Sequence, residues 1–596
     1  MTAIRGKNNL RLRKTLQKFL PGDNTRMVVI ATFIGLAAGL LNILFRSFVD
    51  LVHRLIFDGG SRLLAIDQGG WHILLLPLIP ITGTILLIPL SLLFPGEING
   101  YGFTKFLRKV NLEDGVIRAR SIFLKIIATG LTIGTGNSAG VEGPIAQIGG
   151  AMGSQVGQLN RVSGNRMKVY VAAGCAGGVA GMFNAPLAGV FFAAEIVLLG
   201  TYEISSFAAL VIASAMSTAV SRSYYGMSSA FQIPQYAMVN RLVEIPLYGL
   251  MAVLIGLAAI LYIRTFYFVR DKYRDVPIHP QLKPLTGALC IGIFGIFFPQ
   301  VMGDGYGYMK EVLAGGGIPW VMFVLIFLKI IATSITLGSG GAGGVFAPSL
   351  FIGAMLGGTF GSVVHKLLPE LTAGAGAYAT VGIGAFLAAA THAPMTAIFL
   401  LFEMTGNYQI ILPVMITSII GTIVASKFCE DSIDTVDFTR EGINIHEGRE
   451  VAIMKSLKVG SAISDDVDFI SEEANIKQLL QIFSMGKSFY FPVVDDSGKM
   501  TGIVSLQDVK NILHREEKEQ IAFKVGGICN RDVTMLTPDD SLFTAMRLFD
   551  IQDIEEIPVV ESLEARWVVG MLKRRDALDA YKRQLVKKGI KAKIGA

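Results

Sequence analysis

The stretch FLKIIATGLTIGTGNSAGVEGP at residues 123–144 recurs 204 residues later as FLKIIATSITLGSGGAGGVFAP at residues 327–348. The first seven residues of the two copies are identical, and the copies align without a gap. A second pair follows at a similar displacement, with FNAPLAGVFFAAE at 183–195 matching THAPMTAIFLLFE at 391–403. Because Lys, Thr, Gly and Pro keep their register, the similarity indicates an internal duplication rather than shared apolar composition.

The duplicated part of the chain has the composition of a membrane protein. Of the 596 residues, 52% are hydrophobic and 17% are charged, and apolar runs at 27–44 and 242–262 are about as long as a bilayer-spanning helix. Seven Lys and Arg residues against one acid in the first 26 predict a cytoplasmic N-terminus, in an integral protein of the cell membrane. This topology and anionic membrane lipid explain the net charge of +7, so no nucleic-acid partner is expected.

Composition also divides the chain into a membrane region and a soluble region. Apolar sequence ends near residue 428, and beyond it short β-like runs alternate with amphipathic helical patterns. Short apolar segments broken by Gly and Pro favour inverted repeats of discontinuous helices, although hydropathy alone leaves the orientation of the repeats open. We predict five segments: a basic cytoplasmic arm at 1–26, a polytopic α-helical transmembrane domain at 27–440 with repeats at about 27–225 and 243–430, a linker at 441–451, a cytoplasmic α/β domain at 452–588 with units at about 452–515 and 524–588, and a basic tail at 589–596.

The motif GVEGP at residues 140–144 places Glu142, an ionisable residue, in uncharged sequence. Its glycines and its proline at a helix start would present free N–H groups, and the positive end of a helix dipole, to a small anion. GVFAP at 344–348 would do the same from the other repeat, so the site needs no buried lysine or arginine. A carboxylate there competes with the anion, which makes Glu142 a candidate gate. The alternative is that the glycines, including Gly149 and Gly153, only pack helices and that Glu142 stabilises a helix N-terminus.

These motifs resemble those of the CLC family of chloride channels and chloride/proton antiporters. The resemblance rests on GVEGP and GVFAP, on NAPLAG at 184–189 and on EMTGNYQIILP at 403–413, and it covers about residues 27–440. It implies a homodimer of inverted-repeat subunits, each with its own anion pathway. The partners implied are chloride or another small anion, with protons in the exchanging members of the family.

The resemblance also implies roles for individual residues. Glu142 would be the external gating glutamate, with Val141 and Gly143 beside it at the anion site. The backbone amides of Val345 and Phe346, in the second copy, would line the central anion site.

Two positions at the expected anion site depart from the family pattern. The turn GYGFT at 100–104 has Tyr101 before Gly102 where the family has serine; a phenol is bulkier but can still donate to the anion. Asp434 stands where relatives have a second anion-binding tyrosine. Its carboxyl is therefore protonated or points away, or the alignment slips here, and a further option is that Tyr101 supplies the missing hydroxyl.

A third departure concerns proton transfer. Ile196 stands where antiporters of the family have an internal glutamate, and an isoleucine cannot carry a proton. The adjacent Glu195 faces about 100° away on a helix, and its repeat partner Glu403 indicates a structural role for both. This favours uncoupled, channel-like conduction, while chloride/proton exchange by a different proton route stays the alternative.

The soluble region contains two similar strand–turn–strand–helix units, at 491–509 and 557–578. They resemble a tandem pair of CBS modules over about 452–588. Ser505 and Asp508 fit the S/T-x-x-D motif with which such pairs hold the ribose of an adenine nucleotide, whereas the second unit has KRRD at 573–576 and lacks the hydroxyl. Ser-x-x-Asp is also an ordinary helix cap, so a nucleotide-binding role and a structural or dimerising role stay open.

Other classes of function find little support in the sequence. No nucleophile–base pair, metal cluster or phosphate loop is visible, and the seven histidines and four cysteines show no ligand spacing. We therefore expect neither an enzyme nor a required cofactor or metal. A membrane-anchored nucleotide sensor is the alternative of another class, but a duplicated region of about 400 residues with broken helices exceeds what an anchor requires.

Overall fold

The computed structural model of the chain describes residues 23–98, 100–162, 164–200, 204–227, 233–445, 451, 454–455, 457–464, 467–485, 488–513 and 524–587. The chain divides into two units, one ending at Asp437 and one beginning at Phe438. Most of the predicted arm at 1–26, part of the predicted linker at 441–451 and the predicted tail at 589–596 lie outside the described residues.

The first unit is built from α-helices of very different lengths. Their bounds are α1 Asp23–Val52, α2 Gly59–Leu63, α3 Leu78–Leu93, α4 Phe103–Leu112, α5 Arg120–Gly134, α6 Glu142–Leu159, α7 Asn165–Phe183, α8 Pro186–Phe192, α9 Ile204–Tyr225, α10 Arg241–Asp275, α11 Lys283–Phe297, α12 Tyr306–Leu313, α13 Pro319–Ser339, α14 Phe346–Leu367, α15 Ala375–Thr391, α16 Pro394–Thr405 and α17 Ile411–Phe428. A further short helix, α18, spans Val436–Arg440. Single π or 3₁₀ turns lie between some of them, at His53–Asp58, Ile66–Gln68, Gly70–Leu75, Ala193–Val197, Pro299–Val301 and Tyr408–Ile410.

Apolar helices in this unit are of two lengths. Among the described residues, six helical stretches are long and apolar enough to cross a membrane: Thr25–Leu63, Gly70–Leu93, Arg241–Asp275, Pro319–Ser339, Phe346–Leu367 and Tyr408–Phe428. Other apolar helices are only 10–17 residues long: Pro186–Val197, Lys283–Phe297, Ala375–Thr391 and Pro394–Thr405. Short helices leave backbone ends at membrane depth, where they survive only if buried or lining a cavity. The predicted polytopic fold with discontinuous helices is confirmed.

The two repeats meet through reciprocal contacts. The Gly140 amide donates to the Gly344 carbonyl at 2.8 Å, and the Gly344 amide donates back to the Gly140 carbonyl at 2.8 Å. This is an antiparallel bridge between equivalent turns of the two repeats. In the equivalent helices α8 and α16, the rings of Phe191 and Phe399 stack with centroids 4.3 Å apart. Such matched contacts are those of two halves related by a twofold axis, as the inverted-repeat prediction requires.

Within each repeat, neighbouring helices touch through their backbones at glycine. A Cβ added at Gly149 of α6 would lie 2.2 Å from the Gly174 carbonyl oxygen of α7. A Cβ added at Gly353 of α14 would lie 2.4 Å from the Gly382 carbonyl oxygen of α15. Only glycine fits at these contacts. The helix-packing interpretation is therefore confirmed for Gly149, and it is independent of the role of Glu142.

The second unit combines short strands and helices. Their bounds are β1 Ile470–Ser471, α19 Ile476–Met485, β2 Tyr490–Val494, β3 Met500–Ser505, α20 Leu506–Leu513, α21 Leu542–Gln552, β4 Glu556–Val560, β5 Val568–Lys573 and α22 Arg574–Lys587, with 3₁₀ turns at Val459–Ser461 and Val525–Gly527. One sheet has the order β1-β2-β3 and the other pairs β4 with β5.

The two sheets of this unit are built alike. Strands β2 and β3 are antiparallel with Phe491 opposite Val504, and β4 and β5 are antiparallel with Ile557 opposite Leu572. Each hairpin has its register shift at the same place, just before its last strand pair. Buried apolar side chains from strand and helix cover one face of each sheet. The predicted duplication of strand, turn, strand and helix is confirmed.

Candidate functional site

The starts of α6 and α14 form the centre of the candidate site. Val141 and Val345 precede the two helices, which begin at Glu142 and Phe346, and all four residues are buried. The bridge between Gly140 and Gly344 brings the two turns into contact. The first N–H groups of a helix have no partner inside it, so two sets of free donors and two positive dipole ends meet here. The backbone of the two turns is therefore suited to bind a small anion.

The Glu142 carboxylate occupies these donors. The side chain is fully buried, and its Oε2 accepts a hydrogen bond from the Ala347 amide of α14 at 3.1 Å. The donor is one residue beyond Val345 and Phe346, which the resemblance had indicated. Gly143 is buried in the first turn of α6, and a Cβ added there would lie 3.2 Å from the Gly344 Cα. Glu142 thus stands where an anion would be held.

The other carboxylate oxygen of Glu142 is held by a residue that the sequence interpretation missed. Tyr306, at the start of α12, donates its phenolic proton to Glu142 Oε1. Tyr306 lies outside the repeated motifs and 164 residues from Glu142 in sequence, so no motif pairs them. The available signal was local: GDGYG at 303–307 is a turn sequence that can open a helix.

Tyr101 and Asp434 are brought together although 333 residues separate them in sequence. The Tyr101 hydroxyl donates to Asp434 Oδ1, and Asp434 is only 4% exposed. The options left open for Asp434, a protonated carboxyl, a carboxyl that points away from the anion, or a slipped alignment, stay predictions. The hydroxyl proposed to replace the missing tyrosine is instead bonded to Asp434 itself. Gly102 follows Tyr101 and is the N-cap residue directly before α4.

A row of aromatic rings joins this pair to the start of α14. Ring centroids are 6.4 Å apart between Tyr101 and Phe103, 6.0 Å between Phe103 and Phe192, and 6.0 Å between Phe192 and Phe346. The ring of Phe266 meets Tyr101 edge-on at 5.6 Å. One row of rings therefore connects Tyr101, the partner of Asp434, with Phe346 at the start of α14.

A lysine lies beside Gly102, one of the residues predicted to bind the anion, and the expectation that the site needs no buried lysine stays a prediction. A Cβ added at Gly102 would lie 2.4 Å from Lys125 Nζ. Lys125 lines a cavity of about 210 Å³ together with Lys105, Lys109 and Gln147, and Glu97 contributes one carboxylate. Lys125 belongs to the FLKIIAT heptad, whose lysine recurs as Lys329, so a lysine kept in both copies of an apolar helix was the overlooked signal.

The proton-transfer position is apolar in the structure as well as in the sequence. Ile196 is 4% exposed and lies in the π turn that continues α8. The adjacent Glu195 accepts bonds from the amides of Met395 and Thr396, at 3.0 and 2.6 Å, and from the Thr396 hydroxyl at 2.6 Å. These donors form the first turn of α16.

Glu403 makes the matching contact in the opposite direction. Its carboxylate accepts from the Leu187 and Ala188 amides, both at 2.9 Å, in the first turn of α8. Each repeat therefore caps a helix of the other repeat. The structural role predicted for Glu195 and Glu403 is confirmed.

In the second unit, Ser505 and Asp508 bond to each other. The Ser505 amide and hydroxyl donate to Asp508 Oδ2 at 2.8 and 2.6 Å, across the start of α20. This is the helix-capping arrangement that the spacing allows. A groove of about 770 Å³ lies elsewhere in the unit, lined among others by Phe469, Ser471 and Gln478.

Known proteins resemble both units. The family model for voltage gated chloride channels matches residues 82–426, and the CBS domain model matches 459–515 and 525–583. The H(+)/Cl(-) exchange transporter ClcA of Vibrio campbellii is 32% identical over 67% of this chain and 86% of its own length. The chloride channel protein CLC-f of Arabidopsis thaliana is 28% identical over 93% of this chain and 79% of its own length. Among solved structures, a slow cyanobacterial Cl-/H+ antiporter matches with a TM-score of 0.62 and 26% identity, over 70% of this chain and 98% of that one.

Proposed function

Because this chain belongs to the voltage-gated chloride channel family, with a tandem CBS domain beyond its membrane region, we propose that Glu142 gates its transport of chloride. One observation carries the proposal. The buried Glu142 carboxylate accepts the Ala347 amide at the start of α14, a donor that an anion would need.

The mechanism follows from competition for the same donors. An ionised carboxylate is a tethered anion, stabilised by the free amides and the dipole of α14, and it excludes chloride from them. Protonation removes the charge and so most of that stabilisation, and the side chain leaves. Chloride then takes the amides, where partial charges hold it loosely enough to let it pass.

We propose that conduction is not coupled to protons, because Ile196 offers no acid and Glu195 is engaged by α16. Chloride/proton exchange is the second candidate. Two observations favour it: relatives are named exchangers, and Asp434 is a buried carboxyl bonded to Tyr101, which a row of aromatic rings connects to the start of α14. In that case Asp434 would carry the proton in place of the internal glutamate.

Chloride efflux from proteoliposomes, measured against pH, tests the gate. We expect Glu142→Gln to give high efflux that no longer depends on acid. The matched control is Glu244→Gln, because Glu244 is also fully buried but accepts the Val239 amide beside its own helix at 2.6 Å. The control should keep the acid dependence of the wild type. A Glu142→Gln variant with unchanged acid dependence would rule the gate out.

The same vesicles separate conduction from exchange. Under an imposed chloride gradient, uncoupled conduction drives no sustained uphill movement of protons. If protons do move uphill, chloride/proton exchange replaces uncoupled conduction as the proposed function. Asp434→Asn then tests whether Asp434 carries the proton. Loss of proton movement with retained chloride flux would assign the proton to Asp434.

We further propose a homodimer in the cell membrane with the CBS pair on the cytoplasmic side. Exposed apolar residues form a stripe at helical spacing on α17, at Leu412, Met415, Ile419 and Ile423, which suits lipid or a second subunit. Mass measurement in detergent tests the dimer. Calorimetric titration of the 446–596 fragment with ATP, ADP and AMP tests nucleotide binding, and no heat from any of them leaves the structural role.

A further inference from the structure

We propose that Tyr306 is a positioning residue for the gate, because its hydroxyl holds the ionised Glu142 carboxylate on the start of α14. The proposal rests on the proposed gating function of Glu142. It makes Tyr306 a second residue that governs the opening of the gate, and Tyr306 belongs to α12, which contributes no residue to the repeated motifs.

The two oxygens of Glu142 are held by different helices. Oε2 accepts the Ala347 amide of α14, and Oε1 accepts the Tyr306 hydroxyl of α12. One bond would leave the carboxylate free to rotate about it, whereas two bonds from separate directions fix its position and plane. A bond from a neutral donor to a charged acceptor is also about twice as strong as a neutral one.

The position of the Tyr306 hydroxyl is set by the fold rather than by the side chain alone. Gly305 before it has φ +85°, and a Cβ there would lie 2.5 Å from the Phe351 ring, so only glycine fits this turn. Asp304 Oδ1 accepts the Tyr306 amide at 3.0 Å and caps α12. The fully buried Lys329 donates to the carbonyls of Val301 and Gly303, at 2.9 and 2.8 Å.

Lys329 therefore ties the turn that carries Tyr306 to α13. Its fixed contacts are those of a rigid support, and a rigid donor loses little freedom when it binds. Such a donor favours one position of the carboxylate over all others. We call this role of Tyr306 the latch: its hydroxyl keeps the Glu142 carboxylate on the start of α14.

The charged groups around the pair come from three elements. Asp304 precedes α12, Arg46 lies on α1 and Lys329 lies on α13. A cavity of about 380 Å³ beside this turn adds Asp50 and His53. A Tyr306→Phe substitution changes none of these charges, because it removes only a neutral hydroxyl. Any change in the pH dependence of transport therefore reports the lost bond.

Loss of the hydroxyl should make the closed gate easier to open. A bond to a charged group contributes roughly 10- to 100-fold to the equilibrium between bound and released carboxylate. The ionised, bound form loses this factor, so protonation and release occur at lower proton concentration. We expect the half-maximal chloride efflux of Tyr306→Phe to lie about one to two pH units higher than in the wild type.

The experiment measures chloride efflux from proteoliposomes of the full chain between pH 4 and pH 8. Tyr308→Phe is the matched control, because Tyr308 lies two residues on in α12 and its hydroxyl bonds instead to the backbone of Ile318; its curve should match the wild type. The double variant Glu142→Gln/Tyr306→Phe should behave as Glu142→Gln alone, since the hydroxyl acts only through the carboxylate. Incorporation of 3-fluorotyrosine at position 306 makes the phenol a stronger donor and should shift the midpoint to lower pH.

The outcomes separate the two proposals. If Glu142→Gln abolishes acid dependence but Tyr306→Phe leaves the midpoint in place, the latch is wrong and the gate stands. A Tyr306→Phe effect that persists in the Glu142→Gln background also overturns the latch, because the residue then acts on the fold. If Glu142→Gln keeps full acid dependence, the gate itself is wrong. If Tyr306→Phe does not fold, an unshifted midpoint with 3-fluorotyrosine overturns the latch.

Discussion

Replacing Glu195 with alanine should loosen the contact between the repeats without touching the anion site. The substitution removes an acceptor for the amides of Met395 and Thr396 and for the Thr396 hydroxyl. Two of these donors belong to the first turn of α16 and have no partner within the helix. Loss of a helix cap typically costs about 1 kcal/mol, and leaving a buried donor without a partner costs about 1–3 kcal/mol.

A total of about 2–3 kcal/mol corresponds to roughly a 30- to 150-fold rise in the equilibrium constant for local opening. Hydrogen–deuterium exchange measures this directly, since the affected amides lie in one peptide at residues 393–399. Glu403→Ala is the matched control in the other repeat. It should speed exchange at Leu187 and Ala188, whose amides bond to Glu403, and leave residues 393–399 less affected.

A second variant at this position, Glu195→Gln, decides between a structural carboxylate and a proton carrier. We expect Glu195→Gln, which keeps one acceptor oxygen, to speed amide exchange by a smaller factor than Glu195→Ala does, and to leave chloride flux and proton flux as they are in the wild type. Unchanged exchange at residues 393–399, together with a lost proton flux, would refute the structural reasoning and make Glu195 the internal acid.

Three further predictions concern buried or capping groups. Tyr101→Phe removes the donor to Asp434 and should lower the unfolding free energy by about 1–3 kcal/mol. The loss should be smaller in a Tyr101→Phe/Asp434→Asn double variant. Thermal unfolding in detergent measures the stability of both variants. Burial raises the pKa of Glu556 above 4.5, so the folded CBS unit retains a proton that the unfolded chain releases. Its stability to urea should therefore fall as pH rises through the interval just above 4.5, and Glu556→Gln should remove that fall. Ser505→Ala removes the hydroxyl bond to Asp508 and should cost about 1 kcal/mol in the same assay, with nucleotide binding unaffected if the pair is only a cap.

The sequence predicted those parts of the site that the duplication repeats. GVEGP and GVFAP mark where α6 and α14 begin, because proline and glycine act locally on the backbone and do so twice. The reciprocal roles of Glu195 and Glu403 were predictable for the same reason, since each is the repeat partner of the other.

The contacts made by single, unrepeated residues could not be predicted from the duplication. The bond between Tyr306 and Glu142 and the bond between Tyr101 and Asp434 join positions 164 and 333 residues apart. No rule of sequence spacing connects the two residues of either pair, because tertiary packing alone decides which of these side chains meet. The approach of Lys125 to Gly102 belongs to the same class, although its recurrence in both repeats was visible.

The paired bonds between Gly140 and Gly344 limit what can move during transport. A transporter that rocks one half against the other would have to break both bonds in every cycle, next to the helix starts where we propose that the anion binds. If the two halves stay joined by these bonds, the movement that the proposed gate requires is that of the Glu142 side chain. Under the gating proposal, the rate of transport depends on how long the Glu142 carboxylate stays on its donors, while the surrounding helices keep their positions.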